Sequence, residues 1–479
     1  MAITQRNTAV LHRKEWQMMT PAVTTTAVGA FVVAPQSGNF NIALHVASAS
    51  VHYLYHHDED AWIQIPSGAL AGTFGAGACG AHHPWSNTYT ANGGSTTTVT
   101  VSAASFNITG VAKGSTIEFI SSGTNSGLRR TISDIDTSVG GSGTITLTLD
   151  SAVTTAVLNT HTFRLLTGRF YIINAGLQAS GSFRVFDVGT MTWTTLTHTG
   201  LPATVSTDSR LVCAFNHNEN QATGTATAGG ASTLTNGAKT WTANQWTNYE
   251  IRITAGTGIG QYRTIASNTG TVITVSSAWT TVPDATSQYE IQANSDYLYY
   301  MGTNAITMYR YSISANTWTT MAPTVARGGA PVLGMGAVCI GISGETLWAD
   351  ESAIKNGRYI YSFRGGATAT LDRFDIAGGT AGAGAWQAIT YVGTEVFGGG
   401  SSYFAMGRYV YIRKDATNRF FKYSVRGNYI EPLATDFYPD GAALAGNKMW
   451  VKNLDSTAAV QWVYSLGNTG TVLRRMMII

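Results

Sequence analysis

YLYYMG at 297–302 is followed by MYRYSISANTWTTMAP at 308–323. In each stretch aromatic residues recur at every second position, which is the period of a β-strand with one face buried. The small residues between the stretches mark a turn, and Trp318 closes the unit. The same parts return at YIYSFRGG (359–366), then LDRFDI (371–376) and Trp386. They return again at FYIINAG (170–176) with FRVFDVGTMTWTTL (183–196). Weaker copies are YVYIRK (409–414) with FFKYSVRGNYI (420–430), and MWVKNL (449–454) with VQWVYSL (460–466). VHYLYHHDEDAWIQI at 51–65 reads as a truncated copy. A small sheet of this kind cannot bury both faces alone, so successive copies must stack.

Composition points the same way. Only 11% of the 479 residues are charged, and 53 are Gly. With 12 Trp, 22 Tyr and 17 Phe there is ample core, so a charge-driven disordered chain is excluded. No heptads support a coiled coil. A net charge of +3 with no long basic run argues against nucleic-acid recognition. No stretch is apolar enough for membrane insertion. Residues 1–20 lack the apolar segment of a signal peptide, so synthesis in a cytoplasm is expected. Cys79, Cys213 and Cys339 are too few and too scattered for a disulfide framework.

The six copies resemble the kelch repeat: a hydrophobic strand, a diglycine, a Tyr-containing strand, then a Trp. Phe363, Gly365 and Gly366 with Trp386, and Tyr311 with Trp318, carry the resemblance, although Gly365–Gly366 is the one diglycine in place. It implies an all-β, kelch-like β-propeller. About 323 residues remain for the ring, and at about 50 per blade this gives six or seven blades. The six visible copies favour six. VGAFVVA at 28–34 is expected to complete the last blade and close the ring. Helix is expected only over 8–19 and near 351–356.

Two stretches depart from the blade pattern, at 86–168 and 221–293. Both are rich in Thr, Ser, Gly and Ala with strand-like alternation, as in TTTVTVSAASFNI (96–108) and TVITVSSAWTTV (271–282). They also resemble each other. GTNSGLRRTI (123–132) and GTGIGQYRTI (256–265) are identical at six of ten positions, and Glu118 is matched to Glu250 one strand earlier. The chain therefore divides into propeller at 1–85, an inserted β domain at 86–168, a blade at 169–220, a second inserted β domain at 221–293, and the C-terminal blades at 294–479. Phe106, Phe119 and Phe163 in one insertion, and Trp241, Trp246, Tyr249 and Trp279 in the other, give each its own core.

Chemistry is sparse. His56, His57, Asp58, Glu59 and Asp60, with Cys79, His82 and His83 further on, are metal-ligand types. Neighbours on a strand face opposite ways, so a solvated turn explains HHDED better. Copper radical oxidases among kelch-like propellers need Cys, Tyr and His at the axis, whereas these tyrosines lie in packed strand positions. The Ser-x-Asp-x-Gly-x-x-Trp turn of sialidase propellers is not found, nor are nucleophile-elbow, P-loop or zincin motifs. No catalytic, cofactor-binding or metal residue is assigned, and the chain is read as no enzyme. Arg130 and Arg263 follow equivalent turns and are expected to pair across the sheet with Glu118 or Glu250. Trp318 and Trp386 are expected in the core between blades.

The segment at 241–291, with its GTGIGQYRTI turn and WTTVPDATSQYEI ending, resembles a module of tailed-bacteriophage structural proteins; 115–163 is a divergent copy without that ending. The resemblance implies a virion structural protein, in the tail or neck as a nozzle, hub, collar or fibre-attachment component. Its partners would be other virion proteins and its own copies in a symmetric ring. A head decoration protein, a cell-surface glycan-binding propeller and a kelch-type oxidase are the alternatives.

Overall fold

The computed structural model describes 78–331 and 357–433 with short interruptions, 335–339, and strands and turns on either side. Nearly all the regular structure of the described residues is β, and among them are two short 3₁₀ turns at Gly123–Asn125 and Thr380–Gly382. Among the described residues, six sheets have four strands each and two have seven.

Every four-stranded sheet is an antiparallel meander. Their first strands are Phe31–Val33, Cys79–His83, Arg210–Cys213, Gly336–Cys339, Ser402–Met406 and Met449–Asn453. Each of these lies beside the next in that order, and the last lies beside the first. The result is a closed ring of radially stacked sheets, a β-propeller. Side chains fill the wedges between sheets. Leu54 packs with Phe170 and Phe186 between the first and second, and Phe183 with Tyr311 and Trp318 between the second and third. Tyr299 packs with Phe374 and Trp386 between the third and fourth, Phe363 with Tyr403 and Tyr423 between the fourth and fifth, and Phe420 with Val463 between the fifth and sixth. Tyr55 meets Tyr464 edge-on at 6.0 Å and joins the first sheet to the last. Trp318 and Trp386 are thus wedge residues, and the Trp318 indole donates to the Thr197 carbonyl of the neighbouring sheet.

The outer hairpin of four sheets is built around one aromatic pair. Tyr55 lies opposite Trp62, Phe186 opposite Trp193, Tyr311 opposite Trp318 and Phe374 opposite Trp386. Their ring centroids lie 4.9–5.0 Å apart. Such cross-strand aromatic pairs stabilise a hairpin beyond the area they bury. Asp60, Asn316 and Asn428 occupy left-handed turn positions, which short polar side chains tolerate. Each accepts a hydrogen bond from the phenol five residues earlier: Tyr55, Tyr311 and Tyr423.

Ring closure differs from the sequence expectation. The segment 28–34 contributes Phe31–Val33 to the first sheet, paired with Ile42–His45. The strand that joins the last sheet is Gln17–Met18, which pairs with Arg474 and Arg475. Residues 17 and 18 are therefore strand rather than helix; 8–16 and 351–356 lie outside the described residues. The stretch at 51–65 supplies the third and fourth strands of a complete sheet.

The seven-stranded sheets interrupt neighbouring members of the ring. The chain leaves the second sheet after Cys79–His83, forms seven strands from Tyr89–Thr90 to Thr162–Leu165, and returns at Arg169–Ile173. It leaves the third after Arg210–Cys213, forms seven from Asn220–Thr225 to Gln288–Gln292, and returns at Tyr297–Met301. Both sheets have the strand order first, last, fourth, fifth, sixth, third, second. Val99, Phe119, Leu147 and Phe163 centre the core of one; Leu234, Trp246, Ile265 and Tyr289 centre the core of the other.

Candidate functional site

The two seven-stranded sheets meet at corresponding hairpins. Backbone pairing defines the correspondence. Ile117 pairs with Arg130 and Glu118 with Arg129; Ile251 pairs with Arg263 and Arg252 with Tyr262. The residue equivalent to Glu118 is therefore Arg252, not Glu250. The first hairpin is one residue longer, since Gly127 N–H returns to Phe119 O and Gly260 N–H to Ile253 O, so even the offset of the turn would map Glu118 to Ile251, and the match to Glu250 lies two residues out of register. A constant offset through the turn cannot hold on both strands.

The outer neighbours show the same reversal. Glu118 lies opposite Arg164, and Arg252 opposite Glu290. One sheet thus places acid then base where the other places base then acid, and the two pairs interlock. Arg252 binds Glu118 at 2.5 Å and Glu290 at 2.9 Å, while Arg164 binds Glu118 at 2.6 Å. Arg129 adds a contact to Glu118 at 3.3 Å. Glu118 is 1% exposed and Arg252 4%, so these charges are stable only as a set. Burial works against ionisation of Glu118, but Arg164, Arg252 and Arg129 outweigh it and hold its pKa at about 2. The guanidinium of Arg164 also lies 4.4 Å from the Trp85 ring centroid.

Gly127 and Gly260 face each other beside this clasp. A Cβ on Gly127 would lie 2.7 Å from Gly260 Cα, and one on Gly260 2.7 Å from the Ser126 carbonyl carbon. Both have φ near +80° (78° and 84°), so backbone conformation and close approach each require glycine.

Behind the clasp lies a cleft of about 400 Å³ between the two seven-stranded sheets and the second and third sheets of the ring. His83 forms its floor. It is completely buried, accepts from Trp85 N–H at Nδ1 and donates from Nε2 to Ser295 O at 2.9 Å, with its ring stacked on Phe215. Burial, reinforced by Arg169, pushes its pKa well below the usual histidine range, so the ring is neutral. Arg169 donates to Trp85 O at 2.9 Å and to Asn87 Oδ1 at 3.1 Å. Opposite, Glu250 accepts from Gln292 Nε2 and from Ser295 Oγ at 2.7 Å. Burial raises its pKa, against these two hydrogen bonds.

The residues singled out in the sequence do not assemble here as expected. Arg130 and Arg263 reach no glutamate. They perform one shared task, donating through Nε to Ala152 O and Ala278 O, and through a terminal nitrogen to the carbonyl of the preceding residue. Cys79 and His82 lie on opposite faces of their strand. His82 meets Phe170, whereas Cys79 packs in the wedge that also holds Cys213. Burial pushes both thiols up to about 12. Asp60 is tied to Tyr55; 57–59 lie outside the described residues. Among the described residues no three His, Cys, Asp or Glu converge on a metal position. None of their helices is long and apolar enough to cross a membrane. Trp85, Arg164, Arg169, Arg252 and Glu290 went unread in the sequence. For Arg164, Arg252 and Glu290 the signal was the exchange of acid and base between equivalent strands, visible only once the hairpin register is known.

The sequence matches no known protein family, and no curated protein is significantly similar to it. Solved structures that match include a fucose-specific lectin from Aleuria aurantia, at 10% identity and a TM-score of 0.37, covering 97% of this chain and 94% of the lectin. YjhT matches at 8% identity and a TM-score of 0.38, covering 95% of each chain. The phage phi92 endosialidase matches at 12% identity and a TM-score of 0.34, covering 98% of this chain and 70% of the endosialidase. Likeness this distant transfers no activity to the present chain.

Proposed function

We propose that this chain is a structural component of a tailed-phage virion, in the tail or neck, that works by protein–protein assembly and not by catalysis. In this reading it is a six-bladed propeller with two inserted β domains, at 86–168 and 221–293. The inserted domains are its contact modules toward other virion proteins, and the ring is its platform for symmetric self-association.

The observation that carries this reading is how the two modules are held. They are locked to each other by the Glu118–Arg252–Glu290–Arg164 network, and the second is also bound to the fourth sheet. There Asn248 donates to the carbonyls of Ile376 and Gly382 at 2.8 and 2.7 Å. The first is bound to the second sheet, where Asp187 accepts from Asn87 N–H and Tyr89 O–H. Such bracing suits a part that transmits load between neighbours, because rigid elements lose little freedom on assembly. The resemblance of 241–291 to tailed-phage structural modules agrees with it.

The test is quantitative mass spectrometry of purified phage particles, followed by complementation of a phage lacking the gene with a variant deleted for 222–293. The reading requires a fixed, symmetric copy number per particle, and particles that fail to assemble or attach fibres with the deletion. Absence from particles, or full infectivity with the deleted form, overturns it.

A further inference from the structure

We propose that the cleft behind the clasp binds a carboxylated monosaccharide, a sugar acid, with Arg169 and Arg263 receiving its carboxylate. This goes beyond the assembly role and does not depend on it.

The charge pattern is the first argument. Arg169 directs its hydrogen bonds to Trp85 O, Asn87 Oδ1 and His83 Nδ1, all neutral acceptors. Arg263 does likewise, toward Ala278 O, Tyr262 O and Thr280 Oγ1. Two guanidinium groups thus line one cleft, and among the described residues neither is neutralised by a carboxylate. Arg164, the third, shares Glu118 with Arg252 and Arg129. Of the acids at the cleft, Glu250 is held toward its neutral form by burial. Asp296 carries the other negative charge, its oxygens accepting from Ser312 Oγ and Ser314 N–H, each at 2.6 Å. The floor residue His83 is neutral and adds no charge. Across cleft and clasp five arginines, Arg129, Arg164, Arg169, Arg252 and Arg263, stand against four carboxylates, Glu118, Glu250, Glu290 and Asp296, so the surplus is positive, and planar guanidinium is the group best suited to a carboxylate.

The rest of the lining argues for a polyhydroxylated body. Ser86, Thr88, Thr264 and Ser314 line the cleft, with Asn87 and Tyr262. This mixture of small hydroxyls, an amide and an aromatic face matches a sugar ring, which offers both hydroxyls and C–H surface. The volume of about 400 Å³ falls at the small end of the range of about 300–1,000 Å³ for ligand sites, which suits one sugar residue.

The experiment is isothermal titration calorimetry on the full-length protein with glucuronate, galacturonate and N-acetylneuraminate, against glucose, galactose and acetate. At least one sugar acid should bind in the millimolar range or tighter, about tenfold better than neutral sugars and acetate, and more weakly in high salt. Arg263→Gln should weaken binding about tenfold. Because that arginine also braces the Ala278 loop, Ser314→Trp is the second variant: Ser314 is exposed, so a bulky side chain there fills the cleft without disturbing the core. It should abolish binding with an unchanged melting temperature. Absence of binding by every sugar acid, equal binding by neutral sugars or acetate, or unaltered binding in Ser314→Trp each overturns the proposal.

Discussion

The two seven-stranded modules share a strand order and a hairpin that pairs in the same way, yet they carry opposite charges at the positions where they touch. The first presents Glu118 beside Arg164; the second presents Arg252 beside Glu290. Had both kept the same residues, like charges would meet in a buried site. Coulomb repulsion there is far stronger than at a surface. Reversal in one copy turns the contact between similar modules into four complementary groups. The glycines behave differently. Gly127 and Gly260 are identical because the constraint on them, closeness of two backbones, is the same from either side. Divergence is thus found where complementarity requires difference, and identity where it requires sameness.

The largest effect is expected from making the modules alike. Arg252→Glu would place a third carboxylate against Glu118 and Glu290. Removing one partner of a buried ion pair costs about 3–5 kcal/mol, and a like charge adds to that. Chemical denaturation should show a loss of at least this size. The double variant Glu118→Arg, Arg252→Glu should recover part of it, and a double variant no more stable than Arg252→Glu alone would show that the charges do not act as a pair.

Next comes the glycine contact. Gly260→Ala and Gly127→Ala should each destabilise by about 1–3 kcal/mol from backbone conformation, plus the cost of separating the modules. Gly114, at φ +89° with open space around it, isolates the conformational part. Equal losses at all three positions in thermal melts would mean that the modules are not in close contact.

Acid should weaken ring and clasp in different windows. His52, in the first sheet, is lowered from 6.5 to about 4 by burial and by Arg184. The stability it contributes is present above pH 6.5 and is lost as pH falls toward 4. Glu118 is lowered from 4.5 to about 2, so its contribution is lost only between about pH 4.5 and 2. Glu250 has the opposite sign: its pKa is raised, so acidification through its window favours the folded state. Hydrogen exchange followed segment by segment should show 52–65 losing protection at milder acidity than 117–129 and 250–263. Simultaneous loss would contradict the assignment. The smallest effect is expected at Lys113–Asp134, an ion pair at the surface of the first module with both side chains mostly exposed. Solvent screening leaves such a pair little to contribute, and Lys113→Ala should leave the melting temperature unchanged.

Much of the ring could be read from local pattern. A strand period of two and an aromatic seven residues before a Trp, as in Tyr55–Trp62, Phe186–Trp193 and Tyr311–Trp318, are properties of a single hairpin. They do not depend on what lies beyond it. The burial of Trp318 and Trp386 follows from the same pattern, since an aromatic on the packed face of a hairpin has only the neighbouring sheet to cover it. The closing strand was not legible in this way. Gln17–Met18 is too short to show a pattern, whereas 28–34 is a continuous apolar run, and nothing local says which of two sheets it joins.

Sequence by itself determined the β character, the aromatic hairpins of the ring and the kinship of the two Gly-Thr turns, because each rests on residues within a few positions of one another. Tertiary structure alone decided that Glu118 answers to Arg252, that Arg130 and Arg263 brace loops instead of meeting glutamates, and that His83, Arg169, Glu250 and Tyr262 share a cleft. Those groups come from separate stretches of the chain. For Glu118 and Arg252 the pairing partner depends on hairpin length as well as on residue type, and only the folded backbone counts the extra residue.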